Sequence, residues 1–222
     1  AGPKAREVLS RLTEASLESA DFPWRTAQQI EIAGISTLAL RINYVGELGW
    51  ELHSAMADLP ALYEAVWAAG EGHGIADFGL YAMNSLRMEK GYRGWGAELT
   101  NEVTMLEADM ARFYASAKGD FVGKAATETN AAGPLRLVYF EVEAQDADVR
   151  GGEPIFLGDT CVGVTTSGGY GYAVEKSLGF GYVPPEQAEP GSVIDIGLLD
   201  ARCRATVLAE PIYDPANERL AS

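Results

Sequence analysis

The chain of 222 residues is long enough for one large domain or two small ones with their own cores. Its 47% apolar and 22% charged residues are ordinary for a soluble globular protein, and no apolar run approaches the roughly 20 residues that span a bilayer. Seventeen basic against 32 acidic residues give a formal charge of −15, which argues against nucleic acid and anionic membranes as partners, so a soluble, cytoplasmic protein is expected.

The first segment, AGPKAREVLSRL, has Pro3 in a first helical turn and Ala5, Val8, Leu9 and Leu12 on one face, which predicts a short helix. A start on a helix with no strand before it suggests that a longer domain precedes Ala1. Residues 29–54 read as strands, with a turn at Ala33-Gly34 and a hairpin or bulge where Gly46 and Gly49 interrupt the second run. An amphipathic helix follows, with Asp58 as the candidate N-cap, Pro60 in its first turn and Gly70 as its stop. Leu59, Leu62, Tyr63, Val66 and Trp67 share one stripe, which is expected to face the core. A second helix is expected from about Gly79 to Lys90, with Asp77 as a cap and Gly91 as the left-handed residue after its end. KGDFVGK (118–124) marks a turn and a short helix start, and the small, polar AATETNAAGP (125–134) reads as a boundary. From Leu135 onward the chain consists of short β-type runs split by Gly, Pro and Asp, the texture of a small barrel or sandwich.

Three stretches carry candidate chemistry. In YVGELGWEL (44–52), Glu51 lies between Trp50 and Leu52 in a run expected to be largely buried, so its carboxylate needs donors. An arginine would serve; so would a pterin, whose ring N–H and exocyclic amine offer two parallel donors to one carboxylate. Gly46 and Gly49 would let the chain fold so that Tyr44 and Glu51 converge. In YAMNSLRMEKGYRGWGAE (81–98), Arg87 could pair with Glu89, Glu47 or Glu51, and Trp95 could stack on a flat ring, although a helix with a solvated charged face is the simpler explanation of the pattern. VTTSGGYGYAVEKSLGFGYVP (164–184) lacks the third glycine and the following helix of a dinucleotide fingerprint, so its Gly-aromatic alternation points to barrel turns and close packing. His53 and His73 lack companions for a zinc site, and Cys161 and Cys203 are expected to be reduced and structural. No metal ligands are assigned.

Together these stretches resemble the aminomethyltransferase family, typified by the T-protein of glycine cleavage, and within it the folate-binding C-terminal region of dimethylglycine and sarcosine dehydrogenases. YVGELGWEL looks like the family's pterin motif, YAMNSLRMEKGYRGWGAE like the dehydrogenase form of the following helix, and VTTSGGYGYAVEKSLGFGYVP like the opening of its C-terminal barrel. AGPKAREVL is similar to a segment inside the folate domain. The resemblance implies an α+β fold: the second half of a folate-binding domain over residues 1–130, then a small Greek-key β-barrel over 131–222. It implies tetrahydrofolate as ligand, with Glu51 on the pterin edge and Tyr44 and Trp95 lining the pocket. It further implies a parent protein in which a flavin (FAD) module oxidises an N-methyl amine and tetrahydrofolate takes up the carbon. Met83 stands where T-proteins usually carry an arginine, which favours the dehydrogenase branch. The family's catalytic aspartate lies in the half upstream of Ala1, so no catalytic residue is assigned, and this chain by itself is expected to be inactive without that half and the flavin module. A non-catalytic folate-binding or interaction module and a flavin-free folate-dependent demethylase are the alternatives.

Overall fold

A computed structural model describes residues 1–129 and 133–222. The chain packs as two compact units: residues 1–83 with the returning tail 214–222, and residues 84–213.

The first unit is built on three antiparallel strands, β1 (Ala27–Ile32), β2 (Ile35–Leu40) and β3 (Glu51–His53), in the order β1-β2-β3. Strands β1 and β2 join through Ala33 and Gly34, whose φ angles of 53° and 76° are those of the tight hairpin turn that twist-matched strands require. Alternation gives the sheet two unlike faces. Ile30, Ile32, Thr37, Ala39 and Leu52 turn inward. There the core gathers Leu9 of α1 (Ala5–Leu9), Leu17, Phe22, Leu48 and Trp50, with Val66 of α2 (Leu59–Gly70) against it. Gln29, Leu38, Leu40, Glu51 and His53 turn the other way, and that face is open.

Helix α2 has the bounds that the spacing predicts, but its side chains are disposed differently. Leu62 is the buried member of the expected stripe, Val66 and Trp67 are half-buried, and Leu59 and Tyr63 are exposed. The expected continuous core-facing stripe therefore does not form in this unit. Tyr63 stacks on Trp67 at 5.9 Å and donates its hydroxyl proton to Asp77 at 2.8 Å. Asp77 so engaged lies three residues ahead of α3 (Leu80–Glu89), and Asp58 makes no side-chain capping bond to α2. The tail enters this unit through α5 (Glu218–Ala221), where Leu220 is buried and the fully buried Arg41 donates to the carbonyls of Phe22 (2.6 Å) and Ala221 (3.0 Å).

The second unit is a closed barrel of β4 (Arg136–Val142), β5 (Pro154–Leu157), β6 (Thr160–Gly171), β7 (Lys176–Val183), β8 (Val193–Leu198) and β9 (Ala201–Val207), ordered β4-β7-β6-β5-β8-β9. Strands β5 to β7 are consecutive neighbours and β8 returns beside β5, the Greek-key arrangement. Val138, Phe140, Ile155, Val183, Ile194 and Ile196 fill the interior. Gly179 and Gly181, in the GFGYV run, lie on β7: a Cβ at Gly179 would stand 2.5 Å from the Phe140 ring and one at Gly181 2.6 Å from Ile155, so these glycines make room for interior side chains. The close packing foreseen for the run is present, within a strand rather than at turns. On the outer side Leu137, Tyr139, Leu178 and Phe180 pack on Met88 of α3, and the Tyr139 hydroxyl donates to the Met88 carbonyl at 2.8 Å. Helix α3 ends as predicted at Gly91 (φ 60°): Tyr92 N–H reaches the Arg87 carbonyl at 2.9 Å and Gly91 N–H that of Met88 at 3.0 Å, a Schellman closure.

The short helix start foreseen near residue 124 is α4 (Lys124–Thr129). The boundary expected at 130/131 falls on residues outside those described. By packing, the chain divides at 83/84, because residues 84–118 are tied to the barrel: Leu137 N–H donates to the Glu107 carbonyl at 2.7 Å, and the Tyr182 hydroxyl to the Glu98 carbonyl at 2.7 Å.

One turn is strained. Leu199, between β8 and β9, is 87% exposed with φ 50°, where a side chain beyond Cβ is disfavoured. Leu199→Asn is expected to add about 0.5–1 kcal/mol, since asparagine tolerates the left-handed region; an unshifted urea midpoint would count against this assignment of strain.

Candidate functional site

The site residues named from sequence fall in both units. Tyr44 lies half-buried in the ten-residue connection between β2 and β3, so the expected hairpin is present with a wide loop. Asn43 folds this loop. Its Oδ1 accepts from Val45 N–H at 3.0 Å and Gly46 N–H at 2.9 Å, and its Nδ2 donates to the Glu47 carbonyl. Gly46 supplies the positive φ (77°) that the bend needs. Leu48 and Trp50 then anchor the end of the loop in the core.

Glu51 is not buried, contrary to the expectation from its neighbours. Its side chain is 47% exposed, because the period of two along β3 sends Trp50 and Leu52 to one face and Glu51 and His53 to the other. Its carboxylate lies 3.6 Å from His53 Nε2. Cross-strand pairing sets Leu40 opposite Glu51 and Leu38 opposite His53, so the carboxylate stands at one end of a half-exposed apolar floor. A flat ring with donors along one edge could lie on this floor and pair with the carboxylate. Glu47, four residues before Glu51, faces Arg219 of the tail at 3.9 Å.

In the second unit, Arg87 takes none of the partners expected for it. Its Nη1 pairs with Glu98 at 3.1 Å, with both side chains buried, and its Nε donates to Asn84 at 3.0 Å. Glu89 is engaged elsewhere, accepting from Ala173 N–H at 2.6 Å. Glu98 is the residue that sequence reasoning missed. It also accepts from Gly94 N–H at 2.6 Å, from the Thr166 hydroxyl at 2.7 Å and from the Ser167 hydroxyl. The available signal was an acid in an otherwise apolar GWGAEL run, with adjacent hydroxyls in VTTSGG to receive it. Trp95 lies on the turn just before Glu98 and is 80% exposed. Met83, on α3, is half-buried.

Burial, then the charges of Glu98 and Glu107, push the Tyr182 phenol up to about 12 from its ordinary 10. The folded chain therefore keeps a proton that the unfolded chain releases above about pH 10. The resulting stability is complete below pH 10 and is lost as pH rises through 12. Urea midpoints should fall over that window, and a Tyr182→Phe variant should show a shallower fall; identical slopes would exclude Tyr182 as the source.

The remaining candidates are dispersed. His73 lies 3.4 Å from Glu7, Cys161 is exposed and Cys203 half-buried, both as free thiols, and among the described residues no cluster of His, Cys, Asp and Glu could hold a metal ion.

The fold and motifs define a class. Residues 1–118 match the family model described as the GCVT N-terminal domain, and residues 136–214 that described as the glycine cleavage T-protein C-terminal barrel domain. The chain belongs to the glycine cleavage T-protein, or aminomethyltransferase, family. Within it, the chain is 41% identical to mitochondrial dimethylglycine dehydrogenase of Mus musculus and 34% identical to mitochondrial sarcosine dehydrogenase of the same species, each over 99% of its length. It is 32% identical, over 97% of its length, to an aminomethyltransferase of Listeria welshimeri. It spans 26% and 25% of the two dehydrogenases and 59% of that aminomethyltransferase. The crystal structure of the glycine cleavage aminomethyltransferase T from Bartonella henselae shares the fold, with a TM-score of 0.83 at 24% identity over 96% of this chain and 58% of that one.

Proposed function

We propose that this chain is the tetrahydrofolate-binding portion of a protein like dimethylglycine or sarcosine dehydrogenase, in which a one-carbon unit from an oxidised N-methyl amine passes to tetrahydrofolate. The observation that carries this reading is Glu51, a half-exposed carboxylate beside an apolar sheet floor, within a chain alignable over 99% of its length with both dehydrogenases. Glu51 would accept from the donor edge of the pterin, Leu38 and Leu40 would lie under its ring, and Tyr44 would contribute a further contact. Tetrahydrofolate, when bound, supplies the nucleophilic nitrogen that takes up the carbon. The contribution of the chain's own residues is to hold and orient the folate and to limit water around it, a proximity effect. The amine-oxidising flavin chemistry belongs, in this reading, to a part of the parent protein other than these residues.

Calorimetric titration with 5-formyltetrahydrofolate tests the proposal. A Kd on the order of 10–100 μM is expected from one charge-assisted contact and one apolar surface. The absence of both heat and thermal stabilisation at millimolar ligand would overturn the reading for this chain.

A further inference from the structure

Arg41 has no assigned part in holding folate, yet it is only 1% exposed, and it stands directly after β2, at the start of the connection 41–50 that carries Tyr44. A guanidinium taken out of water needs acceptors in its place. Arg41 finds three, all of them backbone carbonyls: that of Phe22 at 2.6 Å and, in the returning tail, those of Ala221 at 3.0 Å and Ser222. Among the described residues its Nε has none. Two of the three acceptors therefore belong to the tail, which packs in the same unit.

The far end of the connection meets the same base. The ring of Trp50 lies 5.7 Å from the Arg41 guanidinium and 5.9 Å from that of Arg6, and Phe22 meets it edge-on at 6.2 Å. Arg6 also donates to the Ser222 carbonyl, at 2.6 Å. The first and last residues of the connection are thus gathered over one base that the tail closes. Leu220, 2% exposed, seats the tail there. The Arg41 backbone is fixed as well, its N–H donating to the Thr26 carbonyl at 2.9 Å and its carbonyl accepting from Arg25 N–H at 3.1 Å.

We infer that Arg41 is a positioning residue for Tyr44 and that the tail is its strap: the carbonyls of Ala221 and Ser222 hold the Arg41 guanidinium, which keeps the base of the connection closed and the loop above it in one shape. A loop shaped during folding does not have to be ordered when a ligand arrives. The bearing on folate rests on the reading above; the clamping of the loop does not.

The test reads the two parts separately. The N–H groups of Val45 and Gly46, which donate to Asn43 Oδ1 inside the connection, report its shape. Arg41→Lys keeps the charge but cannot fork across carbonyls of both the tail and Phe22. Hydrogen exchange followed by NMR is expected to be at least about tenfold faster at Val45 and Gly46 in this variant, with the β1–β2 ladder exchanging as in the wild type. Affinity for 5-formyltetrahydrofolate should fall about fivefold, and this loss should disappear in a Tyr44→Ala background. Unchanged exchange at Val45 and Gly46, or faster exchange shared equally by the ladder, overturns the inference and leaves Arg41 a core residue. In a chain that binds folate, an unchanged affinity or the same loss in both backgrounds overturns it too. If the wild-type chain binds no folate, the folate reading fails, and exchange alone decides whether the strap shapes the loop. Should Arg41→Lys not fold, Leu220→Ala, which unseats the tail and leaves the connection intact, is judged by the same signals.

Discussion

Glu51→Gln is expected to weaken binding of 5-formyltetrahydrofolate at least about tenfold, with no effect on folding. A hydrogen bond to a charged group contributes about 1.5–3 kcal/mol, and the amide both loses the charge and sets an NH2 against the ligand's own donors. The side chain is 47% exposed and serves no core contact, so the melting temperature should hold within about a degree, as for surface changes in general. Calorimetric Kd values for the two chains check the first half and thermal scans the second. Equal affinity would remove Glu51 from the site. Reduced affinity together with a lowered melting temperature would point to damage of the β2–β3 connection instead. Tyr44→Phe separates two roles of the phenol: an unchanged Kd means that the ring face is the contact, and a tenfold loss means that the hydroxyl is.

The largest stability effect is expected at Arg87. Its side chain is 6% exposed and that of Glu98 fully buried, so Arg87→Leu would leave a carboxylate inside the unit without its cation. Breaking a buried pair in this way costs about 3–5 kcal/mol, since the hydroxyls and the Gly94 N–H that remain do not neutralise the charge. The melting temperature should drop by about 10 °C or more. The pair of Lys176 with Glu141 is the control: both side chains are about a third exposed, and Lys176→Met should cost no more than about 1 kcal/mol. Comparable losses at the two sites would mean that burial does not govern the Arg87–Glu98 pair.

Much of the local structure was legible from neighbouring residues. The Ala33-Gly34 turn, the bounds of α2, the Gly91 closure of α3 and the β texture after Leu135 each depend on backbone preferences or periodicity within a few residues. The inward glycines of β7 were legible as close packing, though their partners Phe140 and Ile155 were not. Burial was misjudged twice, for related reasons. Glu51 was expected inside because it sits between two apolar residues, but a strand alternates faces, and Trp50 and Leu52 claim the inner one. The stripe on α2 was expected inside because its spacing is helical, but spacing defines a face without saying what covers it, and Leu59 and Tyr63 are exposed.

The amino-acid sequence by itself determined the class of this protein, the order of its elements and the motif that carries Glu51, because these are set by short-range patterns and by residues that stand in a recognisable order. Only the tertiary structure decided that Arg87 pairs with Glu98 rather than Glu89, and that this carboxylate also receives Thr166 and Ser167. It likewise decided that residues 84–213 form one compact unit and residues 1–83 with 214–222 another. Sequence proximity offers a charge several partners at similar cost. The choice among them is made by burial, which strengthens the one arrangement in which every donor and acceptor is satisfied and makes the others expensive.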